Sequence, residues 1–176
     1  MRFLSHRVAP MPDSHAIRLR PAVPADVPAI LELIRSLAEY ERLAHEMVAT
    51  AADLEAALFG PRPAAEVVLA ECDGQVAGFA LFFVSFSTFL GRPGLYLEDL
   101  FVRPDFRGRG IGRRLMTRLA ALAVERGYGR FEWSVLDWNR PAIDFYRSLG
   151  ARPMDGWTVQ RVDGEALRAL AARAGG

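Results

Sequence analysis

Glycines stand at positions 108, 110 and 112, set among Arg107, Arg109 and Arg113. They follow the stretch Tyr96-Leu97-Glu98-Asp99-Leu100-Phe101-Val102 and precede Ile111, Leu115, Leu119 and Leu122, which recur at helical spacing. A strand that runs through a Gly-rich loop into a helix presents the backbone N–H groups of the first turn and the positive end of the helix dipole. Glycines let the main chain approach a diphosphate without Cβ interference, and the arginines add positive charge, so the segment suits an anion. Two familiar phosphate loops fail on spacing. A P-loop needs Gly-Lys-Ser/Thr where Gly112-Arg113-Arg114 stands, and a dinucleotide fingerprint needs its third glycine at Arg113.

Other residue types narrow the chemistry. Cys72 is the single cysteine, so no intrachain disulfide and no paired-thiolate zinc site is possible. It adjoins Asp73-Gly74 with no histidine near it in sequence, and reads as a small buried hydrophobe rather than a nucleophile. His6, His15 and His45 form no metal-ligand pattern. Asn139 suits a helix N-cap with Pro141 in the first turn.

Arg107-x-x-Gly110-x-Gly112 resembles the Arg/Gln-x-x-Gly-x-Gly/Ala pyrophosphate loop of the GNAT acetyltransferase superfamily. The run from Asp137 through Asn139, Pro141, Phe145 and Tyr146 to Ala151 resembles that superfamily's second block. Together with Leu37-Ala38-Glu39-Tyr40-Glu41 and Tyr96-Leu97-Glu98-Asp99, it looks most similar to the spermidine/spermine and thialysine (diamine) N-acetyltransferases. The resemblance implies acetyl-CoA as cofactor and the primary amine of a small cationic molecule (polyamine, diamine or lysine-like) as substrate. Coenzyme contacts would come from the backbone of Leu100, Phe101 and Val102, from Arg107, Gly108, Arg109, Gly110, Ile111, Gly112 and Arg113, and from Asn139, Pro141, Ala142 and Tyr146. Tyr40, Glu41, Glu98, Asp99 and Asp155 match substrate-contacting positions. Three positions depart from the family: Ser87 in place of an acid, Phe89 in place of tryptophan, and Glu132 where some members carry histidine. They leave the identity of the amine open.

Acetyl transfer needs a neutral nitrogen, and deprotonating an alkylamine at pH 7 costs about 4–5 kcal/mol. By resemblance Glu98 is the base, directly or through water, or the carboxylate that fixes the substrate ammonium; its alternative is an ion pair with Arg103. Tyr146 is by resemblance the acid that protonates the departing thiolate, and its alternative is a core aromatic. Direct attack in a ternary complex is expected rather than a covalent acetyl-enzyme. Two rivals are a non-catalytic acyl-CoA-binding regulator on the same scaffold and a nucleic-acid module using the arginines from 103 to 118. The regulator could lose Glu98 or Tyr146, yet both are present, and the module lacks a reading motif.

The elements that must position these residues read as β-α-α-β-β-β-α-β-α-β, then a C-terminal helix. Ile17–Arg20 is a first strand, Pro24 to about Arg42 a helix, and Thr50 with Asp53 caps a second helix to Phe59. Strands follow at 66–71, 76–86 and 95–102, the first two joined by Asp73-Gly74. A helix from about Gly110 to Arg126, a strand Phe131–Leu136, a helix Asn139–Leu149, a strand near Trp157–Val162 and a helix from Glu165 complete the chain. The expected class is α/β (α+β), a GNAT fold with a mixed, mostly antiparallel central sheet flanked by helices.

The 176 residues fit one domain, read as 16–176 behind a flexible leader at 1–15, with Met11 an alternative start. Apolar residues make up 51% and charged residues 24%, enough for a sizeable core. A net charge of +1 gives no reason to expect nucleic acid or membrane as partner. No apolar run reaches the roughly 18 residues of a membrane span, and the default location is a reducing cytoplasm. A homodimer is expected by analogy with the family.

Overall fold

The structure is a computed structural model and describes residues 16–175. The expected leader and the alternative start at Met11 lie outside the described residues. The elements are β1 (Ile17–Pro21), α1 (Val27–Tyr40), α2 (Ala51–Phe59), β2 (Glu66–Cys72), β3 (Gln75–Ser87), β4 (Arg92–Val102), α3 (Ile111–Glu125), β5 (Phe131–Trp133), α4 (Arg140–Arg147) and α5 (Gly164–Ala171). By internal contacts the chain divides into two compact units between Ser134 and Val135.

The first unit carries a five-stranded sheet in the order β1-β2-β3-β4-β5. The first four strands are antiparallel and β5 runs parallel to β4, a mixed and mostly antiparallel sheet as expected. Local sequence explains the elements. Asp73 and Gly74 take φ of 53° and 79°, the two left-handed residues that a tight hairpin requires. The Thr50 side chain accepts from the Asp53 amide and caps α2.

Alternation then assigns faces. Ile30, Leu33 and Leu37 of α1 and Leu58 of α2 pack on Val67, Leu69, Phe79 and Phe101. Ile111, Leu115 and Leu119 of α3 are almost fully buried, and the α3 end lies on the face of Phe82, where the Arg126 guanidinium stands 6.0 Å from its ring. Helices therefore cover both faces of the sheet.

The register of β4 matters most. Phe82 pairs with Leu97 but Leu81 pairs with Asp99, so Glu98 is an extra residue with nothing opposite, a β-bulge. Leu97 shares the α3 face with Phe82, whereas Asp99 shares the α1 face with Leu81. Without the bulge, residues 97 and 99 would point to one side. On its other flank β4 pairs with β5 only from Leu95 to Leu97. Among the described residues no strand lies beside that edge from Glu98 to Val102.

In the second unit, α4 begins at a buried Asn139 whose Oδ1 accepts from the Ala142 amide at 3.3 Å. Two expectations need correction. The strand expected over Phe131–Leu136 ends at Trp133. The strand expected near Trp157–Val162 is not formed, and residues 151–163 carry no regular helix or strand. Trp157 and Val159 are 75% and 80% exposed. An alternating pattern supplies only the side-chain half of a strand; the backbone half needs a ladder partner, and none pairs with it here.

Candidate active site

The expected coenzyme end is made of main chain. Arg103 N–H donates to the Ala77 carbonyl of β3 at 2.9 Å. Alternation back along β4 turns the peptide groups of Phe101 toward β3 and those of Leu100 and Val102 toward the open edge. That edge runs through a short 3-10 turn, Pro104–Phe106, into the glycine loop. Gly108 and Gly110 adopt φ of +76° and +78°, conformations that side chains rarely take, and a Cβ on either would meet no atom within 4 Å. Open space thus lies over the loop. Gly110 is the N-cap of α3, its carbonyl accepting from Arg114 N–H at 3.0 Å. The amides of Ile111 and Gly112, in the first turn, have no helical carbonyl one turn earlier. Unpaired strand edge, glycine turn and helix start follow one another without interruption, which fits a long ligand with an extended amide arm and a diphosphate.

The loop arginines do something the sequence did not reveal. Arg107 Nε donates to the Val102 carbonyl at 3.0 Å, and the guanidinium lies 4.9 Å from the Tyr40 ring centroid and 5.6 Å from that of Phe101. Arg109 reaches Cys72 Sγ at 3.7 Å and the Asp105 carbonyl at 3.3 Å, and lies 5.2 Å over the Phe106 ring. Both side chains brace the loop, so its capacity for an anion rests chiefly on amides. Cys72 itself is fully buried, in keeping with its reading as a hydrophobe.

The expected amine end is made of carboxylates. α1 closes with Leu43 N–H donating to the Ala38 carbonyl and Arg42 N–H to that of Glu39, and with Arg42 at φ 64°. That is the doubled hydrogen bond of a Schellman ending, which fixes Tyr40 and Glu41 in place. Burial pushes the Glu41 carboxyl up. Asp99, turned to the α1 face by the bulge, is pushed up to about 6, first by burial and then by the charges of Glu98 and Glu41. Glu98 is exposed on the bulge. Arg103, its alternative partner, instead pairs with Glu32 at 3.0 Å. Among the described residues no cation stands within ion-pair distance of Glu98 or Asp99. Three neighbouring acids without a counterion create a negative potential that a cationic ligand would relieve.

The remaining residues lie in the second unit, the β3–β4 hairpin or β5. Tyr146 is half-buried on α4 with its ring 5.3 Å from that of Phe145, and Asp155 is exposed on the irregular segment. Pro141 is the second residue of α4, where its missing N–H is harmless. Ser87 is buried and accepts from the Leu90 amide at 3.2 Å, so it serves the hairpin turn, while Phe89 is 92% exposed. Glu132 is held by Arg130 at 2.6 Å. Among the described residues no group of three His, Cys, Asp or Glu side chains is placed to hold a metal ion, and no helix is long and apolar enough to cross a membrane.

The bulge in β4 thus stands where the pairing with β5 ends, and the glycine loop follows the unpaired part of the strand. The sequence matches the Acetyltransferase (GNAT) family over residues 28–151, and the chain belongs to that family. Among its relatives, the thialysine N-epsilon-acetyltransferase of Sus scrofa is 38% identical over 90% of this chain and 99% of its own length. The L-ornithine N5-acetyltransferase of Arabidopsis thaliana is 36% identical over 87% of each. Among solved structures, an integron cassette protein from the mobile metagenome of V. cholerae superposes with a TM-score of 0.74 at 27% identity, over 88% of this chain and 97% of its own. The protein is thus an acetyltransferase by family, and its curated relatives over most of the chain are named for acetylating amines.

Proposed function

We propose that the protein transfers an acetyl group from acetyl-CoA to the primary amine of a small cationic molecule, with residues 16–176 serving as one catalytic domain. One observation carries the reading: the unpartnered β4 edge leads directly from an uncompensated carboxylate cluster into a main-chain anion cradle. Acetyl-CoA supplies the activated acetyl thioester. Leu100 and Val102 would align its amide arm as an added strand, and the loop from Gly108 to Arg113 would take its diphosphate. Asn139, Pro141 and Ala142 are assigned to the same arm by the family resemblance.

Glu41, Glu98 and Asp99 would attract a substrate carrying more than one ammonium group. Glu98, unpaired and exposed, takes the amine proton directly or through water, which frees the nitrogen for direct attack in a ternary complex. Tyr146 returns a proton to the departing sulfur. The relatives' names, thialysine and ornithine, favour the terminal amine of a lysine-like amino acid over a long polyamine.

The test is coenzyme A release measured with a panel of lysine-like amino acids, diamines and polyamines. Turnover with intersecting double-reciprocal lines is expected. Parallel lines would remove the ternary complex, and coenzyme binding without turnover on any amine would leave a regulator on the same scaffold.

A further inference from the structure

We propose that Tyr40 is a positioning residue for the coenzyme loop, acting through Arg107. The proposal rests on the coenzyme reading above and gives Tyr40 a task that its match to an amine-contacting position does not. Tyr40 closes α1, whose buried Ile30, Leu33 and Leu37 and doubled C-terminal hydrogen bonds leave it little freedom. Its ring faces the Arg107 guanidinium at 4.9 Å to the centroid. The same guanidinium lies 5.6 Å from the buried Phe101 ring, and Nε donates to the Val102 carbonyl at 3.0 Å. Two rings and a carbonyl, from two different elements, therefore hold one side chain.

That side chain adjoins Gly108, where the chain enters its left-handed turn. Gly108 and Gly110 lack side chains that could fix the loop, so the conformation shown must be held from outside or ordered on binding. Arg107 is the bolt, and the Tyr40 ring is one side of its socket. A loop held in advance loses less conformational entropy when the diphosphate arrives, and this appears as affinity. Tyr40 is followed by Glu41, so the segment that carries the amine-end carboxylate also braces the coenzyme loop.

The experiment is calorimetric titration of coenzyme A into the full chain, wild type and variants, with steady-state kinetics on an amine that turns over. Tyr40→Leu is expected to weaken coenzyme A roughly threefold to tenfold, the range of a partly exposed cation–π contact. Tyr40→Phe keeps the ring and is expected to restore affinity to within about twofold. Arg107→Met should weaken binding to a similar degree, and the double variant should be no worse than the weaker single variant. Additive losses in the double variant, or a raised amine KM with unchanged coenzyme affinity in Tyr40→Leu, would overturn the proposal. A wild type that fails to bind coenzyme A would instead sink the coenzyme reading on which the proposal stands.

Discussion

At the proposed coenzyme end, around residues 98–113, the chain offers backbone: the unpartnered edge of β4, two left-handed glycines and the first amides of α3. At the proposed amine end it offers side-chain charge: Glu41, Glu98 and Asp99, drawn together by the end of α1 and the bulge in β4. The difference teaches where specificity resides. Peptide groups are the same in every protein, so on the proposed function a cradle made of them would recognise a coenzyme shared by a whole family. Carboxylates can be moved or replaced one at a time, so the acceptor amine can differ between relatives while the donor site stays fixed.

If this division holds, binding and chemistry separate under mutation. The largest effect is expected for Tyr146→Phe, which should lower kcat by roughly 10²–10⁴ while coenzyme A affinity stays near wild type. Rapid-quench turnover beside calorimetry checks it, and unchanged kcat would remove Tyr146 from the chemistry. Next comes Gly110→Val. A β-branched side chain at φ +78° is strained whatever the space around it, so coenzyme A affinity should fall by at least about 100-fold. Far-ultraviolet circular dichroism should remain that of the wild type. Retained binding would show that the loop amides are not the donor site.

The smallest effect, and the one that sharpens the amine side, concerns pH. Asp99 titrates at about 6, above the ordinary 3.8 of an aspartate. It is therefore neutral below pH 6 and charged above, and the KM for a cationic amine should rise severalfold as pH falls from 7 to 5.5. The sign for stability is the opposite. A raised carboxyl favours the folded state at low pH, and that advantage is lost as pH rises from about 4 through 6, so the thermal midpoint without amine should fall over the same range. Asp99→Asn should flatten both profiles and leave coenzyme A affinity alone. Profiles identical to wild type would mean that another group sets the amine end.

Much of the scaffold was legible because its signals are local. The Asp73-Gly74 hairpin, the Thr50 cap of α2, the Asn139 cap of α4 and the apolar stripe of α3 each depend on residues within a few positions of one another. The Trp157–Val162 strand failed for the converse reason, since alternation over six residues does not say whether a partner strand lies alongside. Arg107 and Arg109 looked like phosphate ligands by type and position. Their side chains turn instead to Tyr40, Phe101 and the Val102 carbonyl, and to Cys72 and Phe106, and no spacing rule foretells partners as far away in the chain as Tyr40 and Cys72.

The amino-acid sequence by itself determined the glycine loop and the helix start behind it, because a glycine's tolerance of positive φ and a helix's orphan amides are properties of a few consecutive residues. Only the tertiary structure decided the acceptor side. Whether Asp99 faces α1 or α3 depends on one inserted residue in the pairing of β3 with β4, and a single step of register turns a side chain from one face of a sheet to the other. The proton affinity of Asp99 follows from that step, since it is burial beside Glu98 and Glu41 that raises it.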